Sequence, residues 1–365
     1  IVTGDWSSDV CSSDLSRAFQ RREEVDTYLT LHRLRERLEN GESPEQLATE
    51  VPAAFGNRWL DARRSRLLLT LGRTAERSGN VEQALSLYAE ANNSEARIRR
   101  LRVLERIGRY SEAYELAQVA LEQAGEGEAQ ALSRLLPRLA RKLALPSPQA
   151  VKAAEAPTYV LELAGPQPVE RAVAEHLSTA TAPVFYVENG LITGLFGLLL
   201  WPVMFKPLPG AFFHPFHSGP ADLYREDFVV QRQAEIDACL AQLDDGRYRE
   251  TIWATWHAKQ GITSPFVHWG LLNEPLLTAA LDCLPAEHLR ACFIRLLSDL
   301  KHNQAGLPDL IQLIPDAPDG ELRYRMIEVK GPGDRLQDNQ RRWIDFFCRH
   351  NIPVEVCHVR WQPVP

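Results

Sequence analysis

From Arg21 to Leu145 apolar residues recur at intervals of three and four among Ala, Leu, Glu and Arg, a pattern that predicts helices throughout. Prolines at 146, 148, 157, 166 and 168 then break it and mark a linker. The window Gly190 to Phe205 is the most apolar of the chain. It falls short of the roughly 20 residues a bilayer needs and contains Pro202, so it predicts a buried core helix. Toward the C-terminus the period changes. Gly306-Leu307-Pro308-Asp309 is a turn feeding a strand over Leu310–Ile314, and Arg323–Lys330 alternates as a second strand. Gly331-Pro332-Gly333 stops it, a helix follows from about Leu336 to His350, and Val354–Val359 makes a third strand.

Two stretches of the helical region share a layout: Gly79 with Ala84, and Gly108 with Ala113, each a turn glycine followed at the same spacing by a small residue that lets the next helix pack close. They look like tetratricopeptide-type hairpins, at a shorter offset than that repeat's period of roughly 34 residues. Arg97, Arg99, Arg100, Arg102, Arg106 and Arg109 crowd one helix length, either as a solvated face pairing along its own helix with Glu95 and Glu105 or as a surface that tracks phosphates.

The chain has 365 residues, room for two or three domains at ~100–200 residues each. A net charge of -7 gives no global field for nucleic acid or an anionic membrane, so a polyanion needs a local basic groove. Six cysteines, at 11, 239, 283, 292, 348 and 357, form no CxxC pair. They read as mostly buried thiols in a reducing compartment, and the protein is expected to be cytoplasmic. Residues 1–15, with the repeat Ser7-Ser8-Asp9-Val10-Cys11-Ser12-Ser13-Asp14-Leu15, lack the form of an export signal and read as a non-native scar, the natural sequence then beginning upstream of residue 16.

The candidate chemistry lies in the two C-terminal strands. Pairing them brings Asp309 and Glu328 together, and Lys330, two residues on, shares the face of Glu328. Hard divalent cations such as Mg or Mn take carboxylate oxygens, and a neighbouring ammonium can orient the attacking water or hold a phosphate oxygen. Mutual repulsion is expected to raise the pKa of both acids when no metal is bound. This is the arrangement P-D…E-x-K of a metal-dependent phosphodiesterase.

Gly306–Leu310 with Glu328–Leu336, Gln340 and Trp343 resembles the VRR-NUC branch of the PD-(D/E)xK nucleases, and within it the bacterial form of the Fanconi-associated nuclease family. Val187-Glu188-Asn189-Gly190-Leu191 followed by Leu195–Trp201 is similar to the helix that opens that family's nuclease domain, which implies a metal-ligand role for Glu188. The resemblance implies an α-helical, tetratricopeptide-like domain followed by an α/β PD-(D/E)xK nuclease domain. Residues 16–50 would be the tail of an N-terminal DNA-binding region, 51–170 the helical domain and 171–365 the nuclease domain. It implies a structure-selective DNA nuclease, a 5′ flap endonuclease and 5′→3′ exonuclease of the phosphodiesterase I type, in interstrand crosslink repair. Its partners would be branched or flapped double-stranded DNA and proteins met by the helical repeats, with no membrane. The expected metal set is Glu188, Asp309, Glu328 and the Val329 carbonyl, with Lys330 assisting catalysis. The insert between Asp309 and Glu328 is a few residues longer than the family's. The rivals are a junction or RNA nuclease on the same fold, or a helical scaffold with an inactive nuclease domain.

Lys301, Arg335, Arg341 and Arg342 flank the motif and are candidates for phosphate binding. His214 and His217 are expected to serve packing rather than metal, Trp253, Trp256 and Trp269 to be buried, and His257 and His268 to lie in an interface or the core.

Overall fold

The leucines spaced by three and four over the first part of the chain become seven helices: α1 (Arg22–Glu39), α2 (Pro44–Glu50), α3 (Arg58–Arg77), α4 (Val81–Ala91), α5 (Ser94–Arg106), α6 (Tyr110–Glu122) and α7 (Glu126–Lys142). Their starts are written locally. The Asn57 side chain accepts from Trp59 N and Leu60 N, Asn93 accepts from Ala96 N, and Ser43 accepts from Glu45 N ahead of Pro44. Between α3 and α4, and again between α5 and α6, the chain turns at a glycine in the left-handed region, Gly79 at φ +84° and Gly108 at φ +83°. Ala84 and Ala113 are fully buried beyond those turns.

The computed structural model describes residues 19, 21–91, 93–146, 153–165, 167–212, 217–318 and 320–362. The proposed scar and the His214-Pro215-Phe216 run lie outside the described residues. The chain divides into two units, one holding 15–150 with 208–213, the other 151–207 with 214–365. The boundary therefore falls earlier than residue 170, because the proline-flanked segment read as a linker contains a strand of the second unit's sheet. Nor does the described part of 16–50 stand apart. Leu31, Leu34, Leu38 and Leu47 share one core with Leu67, Leu68 and Leu71 of α3.

The second unit runs β1 (Thr158–Ala164), α8 (Val169–Leu177), β2 (Val184–Tyr186), α9 (Gly190–Leu199), α10 (Trp201–Met204), α11 (Phe228–Gln231), α12 (Gln233–Asp245), α13 (Tyr248–Ala258), α14 (Glu274–Cys283), α15 (Ala286–Ser298), α16 (Leu300–Asn303), β3 (Leu310–Leu313), β4 (Tyr324–Lys330), α17 (Asp338–Arg349) and β5 (Val354–Gln362). The five strands form one mixed sheet in the order β1-β5-β4-β3-β2. β5 runs parallel to both β1 and β4, whereas β3 is antiparallel to β4 and to β2. Ala172 and Val173 of α8 pack with Leu310, Ile327, Val329, Cys357 and Val359, so one residue parity of β4 is committed to an apolar core. Glu328 and Lys330 have the other parity.

The apolar window is the core element expected: every residue of α9 is buried. A Cβ at Gly197 would come 2.8 Å from Phe266 Cβ, which explains a glycine in the middle of a helix. Among the described residues no helix is long and apolar enough to cross a membrane. Cys239, Cys283, Cys292 and Cys357 are buried free thiols and Cys348 is half-buried.

Arg232 is fully buried, with Nη1 2.8 Å and Nη2 3.1 Å from the two Asp222 oxygens, Nε donating to the Val203 carbonyl at 3.1 Å, and its guanidinium 4.1 Å from the Phe228 ring centroid. Asp222→Ala leaves that charge uncompensated, and chemical denaturation should report a loss of about 3–5 kcal/mol. Asp222→Leu combined with Arg232→Met should recover most of it. An Asp222→Ala protein as stable as wild type would show that the pair holds nothing together.

Candidate active site

Leu310 pairs with Ile327 across the β3–β4 ladder, and continuing that register by one residue sets Asp309 opposite Glu328. Asp309 is 8% exposed, Glu328 0% and Lys330 8%. Asp309 Oδ2 accepts from Val329 N at 2.8 Å, and Lys330 Nζ lies 2.7 Å from Glu328 Oε1. Apart from that ammonium, neither Glu328 oxygen has a hydrogen-bond partner among the described residues. A buried carboxylate with unused lone pairs, beside a second carboxylate and one lysine, suits a hard cation.

Burial is the first cause of the raised pKa values here, with charge repulsion behind it, which reverses the emphasis expected from the spacing. Desolvation pushes Asp309 up to about 6 against the Val329 N–H and Lys330, which lower it, with Glu170 and Glu188 adding to the rise. Glu328 is pushed up to about 7 by burial, then by the Asp309 charge, with Lys330 opposing. Both folded values lie above those of an unfolded chain, so the stability these groups contribute is complete below about pH 4 and is lost as pH rises to about 7. Without metal, the wild type should lose melting temperature across that window relative to an Asp309→Asn/Glu328→Gln protein. A difference that stays constant with pH would contradict the shifted values. Because ligation needs the deprotonated acids, Mn²⁺ uptake should strengthen over the same range.

Glu188 is exposed, at the turn between β2 and α9. Its backbone joins the site, since Val187 N and Glu188 N both donate to the Asp309 carbonyl, at 2.8 and 3.2 Å. Its carboxylate instead accepts from the Tyr186 hydroxyl, which pushes the Tyr186 pKa above its usual range. Among the described residues no three His, Cys, Asp or Glu side chains already stand in a ligating group. The structure thus brings Asp309, Glu328 and Lys330 together directly and Glu188 through its main chain.

Three participants escaped the sequence. Tyr186 holds Glu188, Glu170 in the first turn of α8 adds negative potential at Asp309, and Asn189 reaches the loop before β3. Only the short β-branched and aromatic run Val184-Phe185-Tyr186 carried a signal for the first.

Of the flanking cations, Lys301, Arg335 and Arg341 are exposed and Arg342 is half-buried. Gln340 caps its own helix, its Oε1 accepting from Gln337 N at 2.8 Å, and Trp343 is buried with Nε1 donating to the Asn303 carbonyl at 3.2 Å. The tryptophans 253, 256 and 269 are half-buried rather than core, and His257 and His268 are exposed, because α13 and the following loop keep one side open. Trp256 Nε1 donates to Leu272 O and Trp269 Nε1 to Ile262 O.

A mixed sheet with this pair of acids and lysine at the β3–β4 junction defines a PD-(D/E)xK-type domain, and residues 243–361 match the VRR-NUC domain. The chain is 49% identical over 351 residues to the Fanconi-associated nuclease 1 homolog of Pseudomonas aeruginosa, covering 95% of this chain and 62% of that protein. It is 31% identical over 177 residues to the Fanconi-associated nuclease 1 of Danio rerio, covering 47% and 18%. The crystal structure of paFAN1 bound to DNA with a 2-nt 5′ flap and a gap superposes with a TM-score of 0.80 at 49% identity, over 96% of this chain and 64% of that one. Over nearly its whole length the chain is thus similar to proteins of the Fanconi-associated nuclease family. It spans less than two thirds of the length of these relatives.

Proposed function

We propose that this chain hydrolyses phosphodiester bonds of flapped or branched double-stranded DNA, as a 5′ flap endonuclease and 5′→3′ exonuclease, with Mg²⁺ or Mn²⁺ bound by Asp309 and Glu328. The observation that carries this reading is the buried Glu328 carboxylate, free of partners except Lys330 and placed opposite Asp309. A divalent ion there supplies charge neutralisation for the scissile phosphate and a lowered pKa for the attacking water. Glu188, which here accepts from the Tyr186 hydroxyl, would add an oxygen to such an ion, and the Val329 carbonyl would complete the set. Lys330 opposes the rise in the Glu328 pKa and offers its ammonium to charge that develops on phosphate oxygens. The likeness to a relative crystallised on 5′-flap DNA supports the choice of substrate. Cleavage of a 5′-flap duplex against four-way junction, single-stranded and RNA substrates is the test, with the flap expected to be cut at least tenfold faster than any other.

Lys301, Arg335, Arg341 and Arg342 are assigned to phosphates beside the cut. Arg97, Arg99 and Arg106 of the helical unit are committed elsewhere. Arg99 and Arg106 both lie 2.9 Å from Glu76 oxygens, Arg97 pairs with Glu128 at 2.7 Å, and Arg138 with Glu105 at 2.8 Å, so each of these ion pairs joins α5 to another helix. Arg99→Gln, Arg102→Gln and Arg106→Gln together should leave the slope of log K against log salt unchanged, whereas neutralising Lys301, Arg335 and Arg341 should flatten it by about 0.9 for each phosphate no longer neutralised. A flattened slope in the helical triple variant would move the DNA onto that unit. We assign the helical hairpins a tetratricopeptide-like character and a protein-binding role, and the whole protein to crosslink repair on chromosomal DNA in the cytoplasm.

A further inference from the structure

Asn189 sits at φ +53°, in the left-handed region that asparagine tolerates better than other non-glycine residues, within the turn closed by Gly190 N donating to Val187 O at 2.7 Å. It precedes α9 yet does not cap it with its side chain. Its Oδ1 instead accepts from Gly306 N at 2.8 Å and Leu307 N at 3.0 Å, in the loop that delivers Asp309. Its Nδ2 lies 3.5 Å from Glu188 Oε1. The far side of that loop is fixed as well: Gly306 has φ +95°, and a Cβ there would come 2.7 Å from the Asn339 main chain of α17. With Val187 N and Glu188 N on the Asp309 carbonyl, the two segments are tied at both ends, and Asn189 supplies the only side chain among these ties.

We propose that Asn189 is a positioning residue, a clasp between the Glu188 turn and the Asp309 loop that sets the spacing of the two carboxylates for the metal. This rests on the metal-dependent reading above. A residue that touches the ligand-bearing segments but not the ion acts on affinity through geometry, and losing one costs on the order of 10–100-fold in metal binding.

Asn189→Gly keeps the backbone conformation and removes the amide, whereas Asn189→Asp keeps an acceptor for both N–H groups. Mn²⁺ calorimetry on the full chain should show affinity about 10–100-fold weaker in Asn189→Gly and within a few-fold of wild type in Asn189→Asp. In metal-free protein, hydrogen exchange at the Gly306 and Leu307 amides should accelerate in Asn189→Gly and stay protected in Asn189→Asp. Wild-type Mn²⁺ affinity and exchange in Asn189→Gly, or an Asn189→Asp protein as impaired as the glycine variant, would overturn the clasp. The exchange readout needs neither metal nor cleavage. A wild type that cuts no DNA therefore defeats the nuclease reading alone, and the clasp is judged on its own amides.

Discussion

Asp309→Asn should abolish Mn²⁺ uptake by calorimetry and lower single-turnover cleavage of flap DNA by at least 10³-fold, with the fold intact. The amide is nearly isosteric, and its oxygen can still accept from Val329 N, a bond of 2.8 Å in the wild type, so the strand junction survives. What disappears is the charge opposite Glu328. Without it the ion loses one of two buried anionic ligands, and both the neutralised phosphate and the activated water go with it. Relieved of its neighbour's repulsion, Glu328 should ionise at lower pH than in the wild type, because the Asp309 charge is the second contributor to its raised pKa. Undiminished Mn²⁺ uptake in Asp309→Asn would place the metal elsewhere.

Lys330→Ala should cut the single-turnover rate by roughly 10²–10³, about 2.7–4 kcal/mol, while flap DNA binds nearly as well as to wild type. The spacing of Glu328 and Lys330 predicts an effect on the chemical step, and the structure adds a second consequence. Lys330 is the main group that lowers the pKa of Glu328 against burial. Removing it drives that carboxyl further up, so the rise of activity with pH should also shift to higher pH. Lys330→Arg should rescue little, since a planar fork does not replace a compact ammonium in a site this enclosed. A variant that cleaves at the wild-type rate with an unmoved pH profile would make Lys330 a bystander.

Strands β3 and β4 were legible because alternation and turn residues act locally. Arg323–Lys330 alternates, Gly331-Pro332-Gly333 stops it, and β4 ends at Lys330. Burial of α9 followed equally from its unbroken apolar run. β1 was lost among prolines, for its residues make a strand only by lying parallel to β5 nearly two hundred residues later. The arginine crowd misled in a similar way: helix periodicity offers partners along α5, yet Glu76 and Glu128, which hold Arg99, Arg106 and Arg97, belong to α3 and α7. Asn189 before an apolar helix reads as a cap, and nothing near it in sequence announces Gly306 and Leu307 as its partners. Proximity between distant segments is a property of the sheet, and it was the part hidden from the sequence.

The central claim, metal-dependent cleavage of flapped DNA by the Asp309–Glu328 pair, is tested most directly by incubating the full chain with an end-labelled 5′-flap duplex in Mn²⁺ and in excess chelator, with Glu328→Gln alongside. Cuts near the flap junction are expected from the wild type in Mn²⁺, with none in chelator and none by Glu328→Gln. Cleavage that persists in chelator, or a Glu328→Gln protein that cuts as fast as wild type, would contradict it.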